Sequence, residues 1–321
     1  MAWTYTDNMF YDQRTDRVIL HTPDENFFYY SRRPPLGSGG MGQVLQGWSL
    51  RDGRIVAIKR VHDRYANIPE IRNRARLEAG MAFRHENLVE MLGIVESVTG
   101  RGPIFIISNF INGLNIDKFI ENNMGRFPYP EREKRIVNLL MPILDALQYI
   151  HHYNICHLDI KPSNIMIENG RNVRLMDLGI ALPKNLQMNS AHQEHNSGSG
   201  SGLMGTPKYA APEQFGLPGY GDIGPRSDIY EFGVTLYELL SGFNPFASQS
   251  LAESVQKHQE LLLPPSEKIS PALLDVLRIA AHPNQTARYL DVGRLKNSLA
   301  NAITEKQEDG LFKKIFKKVG F

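Results

Sequence analysis

The hydrophobic pattern of the chain changes near residue 110, and this change limits the folds that the chain can adopt. Before that point, apolar residues come in short β-rich runs such as RVIL, FFYY, VLQGW and RIVAIKRV, with turn-like segments between them. After it, apolar residues recur at helical spacing in long segments such as EREKRIVNLLMPILDALQYIHHYN and DIYEFGVTLYELLSG. The sequence therefore predicts an α+β protein of two lobes, a small β-rich one and a larger, mostly helical one.

The small lobe is predicted to contain one main helix, IPEIRNRARLEAGMAF at residues 68–83. Two more strands are expected near VEMLGIV and PIFIIS, and the aperiodic SNFING that follows is the predicted hinge. About 30 residues precede this core, and DRVILHTPDENFFYY within them is expected to add a hairpin to the small lobe.

Length and composition suit a globular chain and give no indication of nucleic acid or a spanned membrane as a partner. The 321 residues are 42% hydrophobic, and 36 Lys+Arg against 34 Asp+Glu leave a formal charge of +2, so no nucleic-acid partner is expected. Cys156 is the single cysteine, which excludes an intrachain disulfide and a cysteine-based zinc cluster. The sequence starts without a signal-peptide pattern and contains no apolar run long enough to span a membrane, so we expect a cytoplasmic protein.

A glycine-rich segment, LGSGGMGQV at residues 36–44, places Gly37, Gly39 and Gly42 in a GxGxxG spacing, followed by Val44. Glycines allow backbone N–H groups to approach phosphates, because no Cβ obstructs them. The spacing also occurs in dinucleotide-binding loops and in plain tight hairpins. A dinucleotide-binding loop should open a helix, whereas QVLQGW continues as a strand, which favours a glycine-rich flap between two strands.

Charged and amide side chains in three other segments supply the groups that phosphoryl transfer requires. Lys59 lies in the apolar strand RIVAIKRV; it can extend to solvent, but its neighbours favour a position in a cleft, where it would bind an anion. In HLDIKPSNI, residues 157–165, Asp159 can accept a hydroxyl proton and Lys161 can neutralise phosphate charge. Asn164, with Asp177 of MDLG, can hold a divalent metal through oxygen.

Taken in order, these motifs resemble those of the eukaryotic-like (bacterial-type) Ser/Thr protein kinases, which implies the bilobal protein-kinase-like fold. The resemblance implies an enzyme that uses ATP and Mg²⁺ to phosphorylate Ser or Thr of protein substrates, itself included. The implied segments are an N-terminal extension (1–30), a small lobe (31–108), a hinge (109–112), a large lobe (113–298) and a C-terminal tail (299–321).

The resemblance also implies roles for individual residues. Asp159 would be the catalytic base, Lys161 would steady the γ-phosphate, and Asn164 and Asp177 would bind magnesium. The implied ATP-binding residues are Gly37, Gly39, Gly42, Val44, Ala57, Lys59, Glu78, Asn109 and Ile111, with Ser108 as the gatekeeper.

GTPKYAAPE, residues 205–213, matches the segment of the family that forms the peptide-binding platform. By the same resemblance Glu213 should pair with Arg288, and Asp228 should brace the catalytic loop. Lys161 two positions after the base favours Ser/Thr over Tyr as the acceptor.

The sequence departs from the family at three places. Leu158 replaces an arginine that usually pairs with a phosphate on the activation loop, so activity is predicted not to depend on such a phosphate. Leu178 replaces a phenylalanine, an apolar exchange with little expected effect. Glu78 is the predicted partner of Lys59. An ungapped alignment with the family would instead put Arg76 at the position of this helix glutamate, and the two residues differ in direction by near half a helical turn.

The stretch NSAHQEHNSGSGSG, residues 189–202, is predicted to be a mobile loop because it cannot bury much apolar area. Its hydroxyls can be autophosphorylated, or its Ser and Gly can serve flexibility alone. The candidate phosphorylation sites are Ser190, Ser197, Ser199, Ser201 and Thr206. His151, His152 and His157 lie near Cys156 in sequence, and packing is favoured over a metal site.

The C-terminal GLFKKIFKKVGF has apolar residues on one helical face and lysines on the other, as in interfacial amphipathic helices. Residues 310–321 are thus expected to contact a membrane surface, so that the protein would be peripheral, or a partner protein; docking onto the chain's own lobe is the alternative. Two alternatives to the enzyme also stay open, namely a pseudokinase scaffold and a small-molecule kinase, although the latter would not need GTPKYAAPE.

Overall fold

The computed structural model describes residues 8–80, 83–97, 101–177, 182–183 and 205–304. The chain separates into two compact units, Met1–Asn112 and Gly113–Phe321. We call them the small lobe and the large lobe.

An antiparallel sheet of eight strands forms most of the small lobe. Its strands are β1 Met9–Asp12, β2 Arg17–His21, β3 Asn26–Tyr30, β4 Gly37–Ser38, β5 Gly42–Ser49, β6 Ile55–Val61, β7 Met91–Glu96 and β8 Ile104–Asn109. They are ordered β1-β2-β3-β5-β6-β8-β7, and β4 pairs with β5.

The N-terminal strands extend this sheet and cover one of its faces. Leu20 of β2 and Phe27 of β3 are fully buried and belong to the same apolar cluster as Ile58 and Ile107 from the centre of the sheet. The Asn8 side chain donates a long hydrogen bond to the Glu96 carbonyl at 3.4 Å, which brings the two outer edges of the sheet together at one end. The sheet is therefore rolled, as the strong twist of antiparallel sheets allows.

The other face of the sheet packs against helix α2, Pro69–Gly80, which is preceded by the short α1, Asp63–Ala66. Ala75 of α2 is buried with Val61 of β6 and with Ile104 and Ile106 of β8. Alternate residues of β6 and β8 thus enter two different apolar clusters, one on each face. The predicted helix over residues 68–83 is present with slightly shorter bounds, and residues 81 and 82 lie outside the described part.

Helices dominate the large lobe. They are α3 Ile116–Met124, α4 Tyr129–His152, α5 Pro225–Ser241, α6 Leu251–Glu260, α7 Pro271–Ala280 and α8, residues 292–304. The strands β9 Gly113–Asn115, β11 Ile165–Glu168 and β12 Asn172–Leu175 form one small sheet, and β10 Ile155–Cys156 pairs with β13 Leu182–Pro183.

Helix α5 is buried on almost all sides, so it forms the centre of the large lobe. It begins with proline in its first turn and ends before Gly242, whose φ of 87° suits the left-handed residue that closes a helix. The predicted large-lobe boundary at residue 298 falls inside α8. The helix continues past it because Leu299, Ala302 and Ile303 are buried.

Candidate active site

In the small lobe, Lys59 and Glu78 form an ion pair. The Lys59 Nζ lies 3.8 Å from the Glu78 Oε1, and the Glu78 side chain is 5% exposed. Arg76, the alternative suggested by an ungapped alignment, instead lies with its Nε 2.5 Å from the Glu96 Oε1. The prediction that Glu78 is the partner of Lys59 is therefore confirmed.

Three predicted ATP-binding residues share the α2 face of the sheet with Ser108, the predicted gatekeeper. Val44 lies directly opposite Lys59 across β5 and β6, and Ala57 lies opposite Ser108 across β6 and β8. Residues in such opposite positions point to the same side of a sheet, as do residues two apart in one strand. Val44, Ala57, Lys59 and Ser108 thus line one surface.

The glycine-rich segment is a flap between β4 and β5, with Gly37 opposite Val44. A Cβ added at Gly37 would meet no atom within 4 Å, and one at Gly39 would meet only the Gly42 carbonyl at 4.0 Å. The lack of a side chain at these two positions leaves the backbone open to a ligand. Gly42 differs, because a Cβ there would lie 2.4 Å from the Arg60 carbonyl oxygen. Gly42 is therefore required by the close approach of β6.

The predicted hinge begins inside β8, whose last residue is Asn109. The Asn109 backbone N–H donates to the Glu90 carbonyl at 2.9 Å, and its side chain donates to the Glu90 carboxylate at 2.8 Å. Ile111 is 7% exposed, and its backbone N–H makes no hydrogen bond within the described residues. The Ile111 N–H is thus unpaired within the part of the chain that the structure describes.

In the large lobe, Asp159, Lys161 and Thr206 form a closed hydrogen-bonded triangle. The Lys161 Nζ donates to the Asp159 Oδ2 and to the Thr206 Oγ1, both at 2.6 Å. The Thr206 hydroxyl donates to the Asp159 Oδ1 at 2.7 Å. Both carboxylate oxygens of Asp159 are held, so its orientation is fixed before any substrate arrives.

Asn164 and Asp177, the predicted metal ligands, lie on segments that contact each other. The Asn164 side-chain nitrogen donates to the Asp159 carbonyl at 2.9 Å and to its Oδ2 at 3.0 Å. The Asn164 carbonyl accepts the Met176 N–H at 2.8 Å, which places Asp177 one residue from this contact. An amide oxygen and a carboxylate are the ligands that Mg²⁺ prefers, so these residues fit that metal. Leu178 lies outside the described residues.

Asp228 of α5 braces the loop that carries Asp159, as predicted. Its Oδ1 accepts the Leu158 N–H at 2.8 Å, and its Oδ2 accepts the His157 N–H at 2.9 Å. Leu158 is fully buried and has a φ of 63°, a left-handed conformation that is rare for a residue with a large side chain. The two hydrogen bonds that Asp228 accepts from these N–H groups help to hold this conformation.

Glu231 and Gln214, which were not predicted from the sequence, also hold the loop that carries Asp159. The Glu231 Oε2 accepts the Ile160 N–H at 2.7 Å, and the Gln214 Nε2 donates to the Glu231 Oε1 at 2.9 Å and to the Leu158 carbonyl at 3.2 Å. Burial, and then the charge of Asp228, raise the pKa of the Glu231 carboxyl well above its usual value. The sequence signal that could have identified Glu231 is its charge within the otherwise apolar run DIYEFGVTLY.

The predicted pair of Glu213 and Arg288 is confirmed. The Arg288 Nη1 lies 2.6 Å from the Glu213 Oε1, its Nη2 lies 2.9 Å from the Oε2, and neither side chain is exposed. This bidentate pair ties the GTPKYAAPE segment to the loop that follows α7.

His151, Cys156 and Asp228 bring one ligand atom each within 4.8 Å of one another. The His151 Nε2 and the Asp228 Oδ2 are, however, 2.7 Å apart in a hydrogen bond, which supports the predicted packing role.

Among the candidate phosphorylation sites, Thr206 is described, and the serines lie outside the described residues, as does the C-terminal segment 310–321. No helix in the described ranges is long and apolar enough to cross a bilayer.

The fold and these residues define the class of protein kinases. The family model of the protein kinase domain matches residues 30–296, and the chain belongs to this family. It is similar to the probable Ser/Thr-protein kinase PknB of Corynebacterium glutamicum, at 34% identity over 83% of this chain and 42% of that protein. It is also similar to the Ser/Thr-protein kinase Pkn1 of Myxococcus xanthus, at 32% identity over 84% of this chain and 38% of that protein.

A third relative, the Ser/Thr-protein kinase PknB of Mycolicibacterium smegmatis, is 30% identical over 87% of this chain and 44% of that protein. The chain thus spans less than half the length of these curated relatives.

Proposed function

We propose that this chain is an ATP- and Mg²⁺-dependent protein kinase that transfers the γ-phosphate of ATP to Ser or Thr hydroxyls of protein substrates, itself among them. The observation that carries the proposal is the triangle of Asp159, Lys161 and Thr206. It combines a fixed carboxylate with a cation 2.6 Å away, as a hydroxyl acceptor and a transferring phosphoryl group require.

The large-lobe residues would carry out the transfer. Asp159, which is 6% exposed, would orient the acceptor hydroxyl and take its proton. Lys161 would offset negative charge on the transferring phosphoryl group. Asn164 and Asp177 would hold Mg²⁺, which supplies positive charge to the phosphate oxygens when it is bound.

The small-lobe residues would bind the nucleotide. Lys59 would contact the α- and β-phosphates, and the buried carboxylate of Glu78 would keep its ammonium group in position. The backbone at Gly37 and Gly39, which is open to a ligand, would cover the phosphates. The apolar side chains of Val44 and Ala57 would contact the base, together with the backbone of Asn109 and Ile111.

The test is transfer of labelled γ-phosphate to the chain itself and to a generic basic protein, with the modified residues mapped. We expect label with the wild type and none with Asp159→Asn. Asp275→Asn, which removes a carboxylate that is 73% exposed on α7, is the matched control and should keep full activity. If the wild type binds ATP but transfers no label, the chain is a scaffold and the proposal is wrong.

The cytoplasmic location and the contacts of residues 310–321 are proposals that rest on the sequence alone. Four lysines beside apolar residues would favour an anionic membrane surface. Co-sedimentation of the full chain with anionic and neutral vesicles, with and without residues 310–321, tests this proposal. A partner protein remains the candidate if neither vesicle binds.

A further inference from the structure

The small lobe contains a cavity of about 240 Å³ on the face of its sheet opposite to Lys59. Arg60, which lines the cavity, follows Lys59 in β6, and successive side chains of a strand point to opposite faces. Gln43, which precedes Val44 in β5, lines the cavity for the same reason. The cavity is therefore separate from the proposed nucleotide-binding residues, although it shares two strands with them.

The N-terminal strands build one wall of this cavity. Met9 and Tyr11 of β1, Val18 of β2 and Tyr29 of β3 all line it. The match to the protein kinase domain begins at residue 30, so these four residues precede the matched segment. The residues before the matched segment and residues within it therefore build the cavity together.

The base of the cavity is apolar and buried. Val18, Tyr29 and Leu45 are 8%, 7% and 7% exposed, and all three belong to the apolar cluster inside the rolled sheet. A designed apolar cavity of roughly 150 Å³ accepts benzene, so this one can hold a ring with a small substituent.

Arg60, Gln43 and Tyr29 are three of the hydrogen-bond donors that line the cavity beside this apolar base. The Arg60 guanidinium pairs with Asp63 at 3.0 Å, but the Asp63 side chain is 76% exposed, so a ligand anion can replace this weak surface pair. The carboxamide of Gln43, the cross-strand partner of Arg60, makes no hydrogen bond within the described residues. Burial raises the pKa of the Tyr29 hydroxyl to about 12, against the nearby Arg60 charge, so this hydroxyl stays protonated at neutral pH.

We propose that this cavity is a binding site for a compact apolar monocarboxylate. The apolar part of the ligand would pack against Val18, Tyr29 and Leu45, and its carboxylate would accept hydrogen bonds from Arg60 and Gln43. A charged ligand group matches the guanidinium, and an apolar body of one ring matches the volume.

Benzoate and its neutral analogue benzamide are the probes. Each is titrated into the full chain labelled with ¹³C at methionine methyl groups, with the Met9 signal assigned from Met9→Leu. Met9 lines the cavity, whereas Met124 lies in the large lobe and serves as the internal control. We expect benzoate to shift the Met9 signal saturably, to leave Met124 unchanged, and to bind more tightly than benzamide.

Two variants locate the site. Arg60→Gln should weaken benzoate binding roughly fivefold or more and leave benzamide unchanged, since it removes one charge-assisted hydrogen bond near the surface. Val18→Phe should weaken both probes, because it fills the apolar end of the cavity. Arg51→Gln, at a side chain that is 62% exposed elsewhere in the small lobe, should change neither.

Circular dichroism melts of each variant establish that it is folded before its binding is compared. The proposal is wrong if benzoate leaves the Met9 signal unshifted at millimolar concentrations, if benzoate and benzamide bind equally, or if folded Arg60→Gln binds benzoate like the wild type. Because no step of this test needs phosphoryl transfer, its result is independent of the proposed kinase activity.

Discussion

Glu231 holds the backbone of the residue that follows the proposed catalytic base: its Oε2 accepts the Ile160 N–H at 2.7 Å. Asp228, three positions earlier on α5, accepts the N–H groups of His157 and Leu158. Two acidic side chains on one face of a buried helix therefore position three of the four N–H groups from His157 to Ile160. Glu231 acts on the proposed base Asp159 through this backbone and is a positioning residue.

Stability should fall with rising pH because of Glu231. Its pKa is raised in the folded state, so the folded protein keeps a proton that the unfolded chain loses above the ordinary value of 4.5. The contribution of Glu231 to the free energy of unfolding is thus fully present below that pH and is lost as the pH rises toward the folded-state pKa. The loss is on the order of 1 kcal/mol for each pH unit in that window.

Urea unfolding of wild type and Glu231→Gln at several pH values between 5 and 8 checks this prediction. The variant loses a hydrogen bond to Gln214 at every pH, so the slopes with pH are compared rather than the absolute values. We expect a shallower fall in the variant and the wild-type slope in Glu131→Gln, which changes a half-exposed residue of α4. Parallel slopes for wild type and Glu231→Gln would contradict the raised pKa.

Thr206→Ala should lower the rate of phosphoryl transfer, because it removes the hydroxyl that joins Asp159 to Lys161. Loss of two hydrogen bonds to charged groups predicts a fall in kcat of roughly tenfold to a hundredfold. Thr206→Ser keeps the hydroxyl and should restore most of the rate. Steady-state kinetics with a peptide substrate give the answer, and equal rates for the Ala and Ser variants would exclude this role.

The limits of sequence-based prediction here have physical causes. Glu213 and Arg288 were predictable because each lies within a recognisable motif, whereas Glu78 and Arg76 competed for Lys59 because their directions depend on the phase of one helix. The N-terminal hairpin was predictable from local pattern. The contact between Asn8 and Glu96 was not, since the two residues are 88 positions apart and nothing local encodes their contact.

Arg288→Met should destabilise the large lobe strongly. The substitution leaves the Glu213 carboxylate fully buried without its bidentate partner, and breaking such a pair costs about 3–5 kcal/mol. Arg294→Met changes a side chain that is 66% exposed and should shift the free energy of unfolding by less than about 0.5 kcal/mol. Urea denaturation compares the two variants, and similar values for both would show that the buried pair contributes little.

Dephosphorylation should leave the activity within about twofold of its starting value, because Leu158 supplies no cation for an activation-loop phosphate. The Leu158 side chain is fully buried in the large lobe. Initial rates before and after phosphatase treatment, with mass spectrometry to verify removal of phosphate, make the comparison. A large fall that rephosphorylation reverses would mean that another cation takes over the role of the missing arginine.

Lys59→Met should reduce phosphoryl transfer by roughly a hundredfold to a thousandfold, since it removes the charge proposed to hold the ATP phosphates. Glu78→Gln keeps the shape of its side chain but weakens the hold on the Lys59 ammonium 3.8 Å away, so a fall of roughly tenfold is expected. Lys118→Met, at an exposed position of α3, is the matched control. ATP titrations and initial rates separate binding from transfer in each variant. If Glu78→Gln matches the wild type in both measurements, the ion pair is structural, and Lys59 binds ATP without its help.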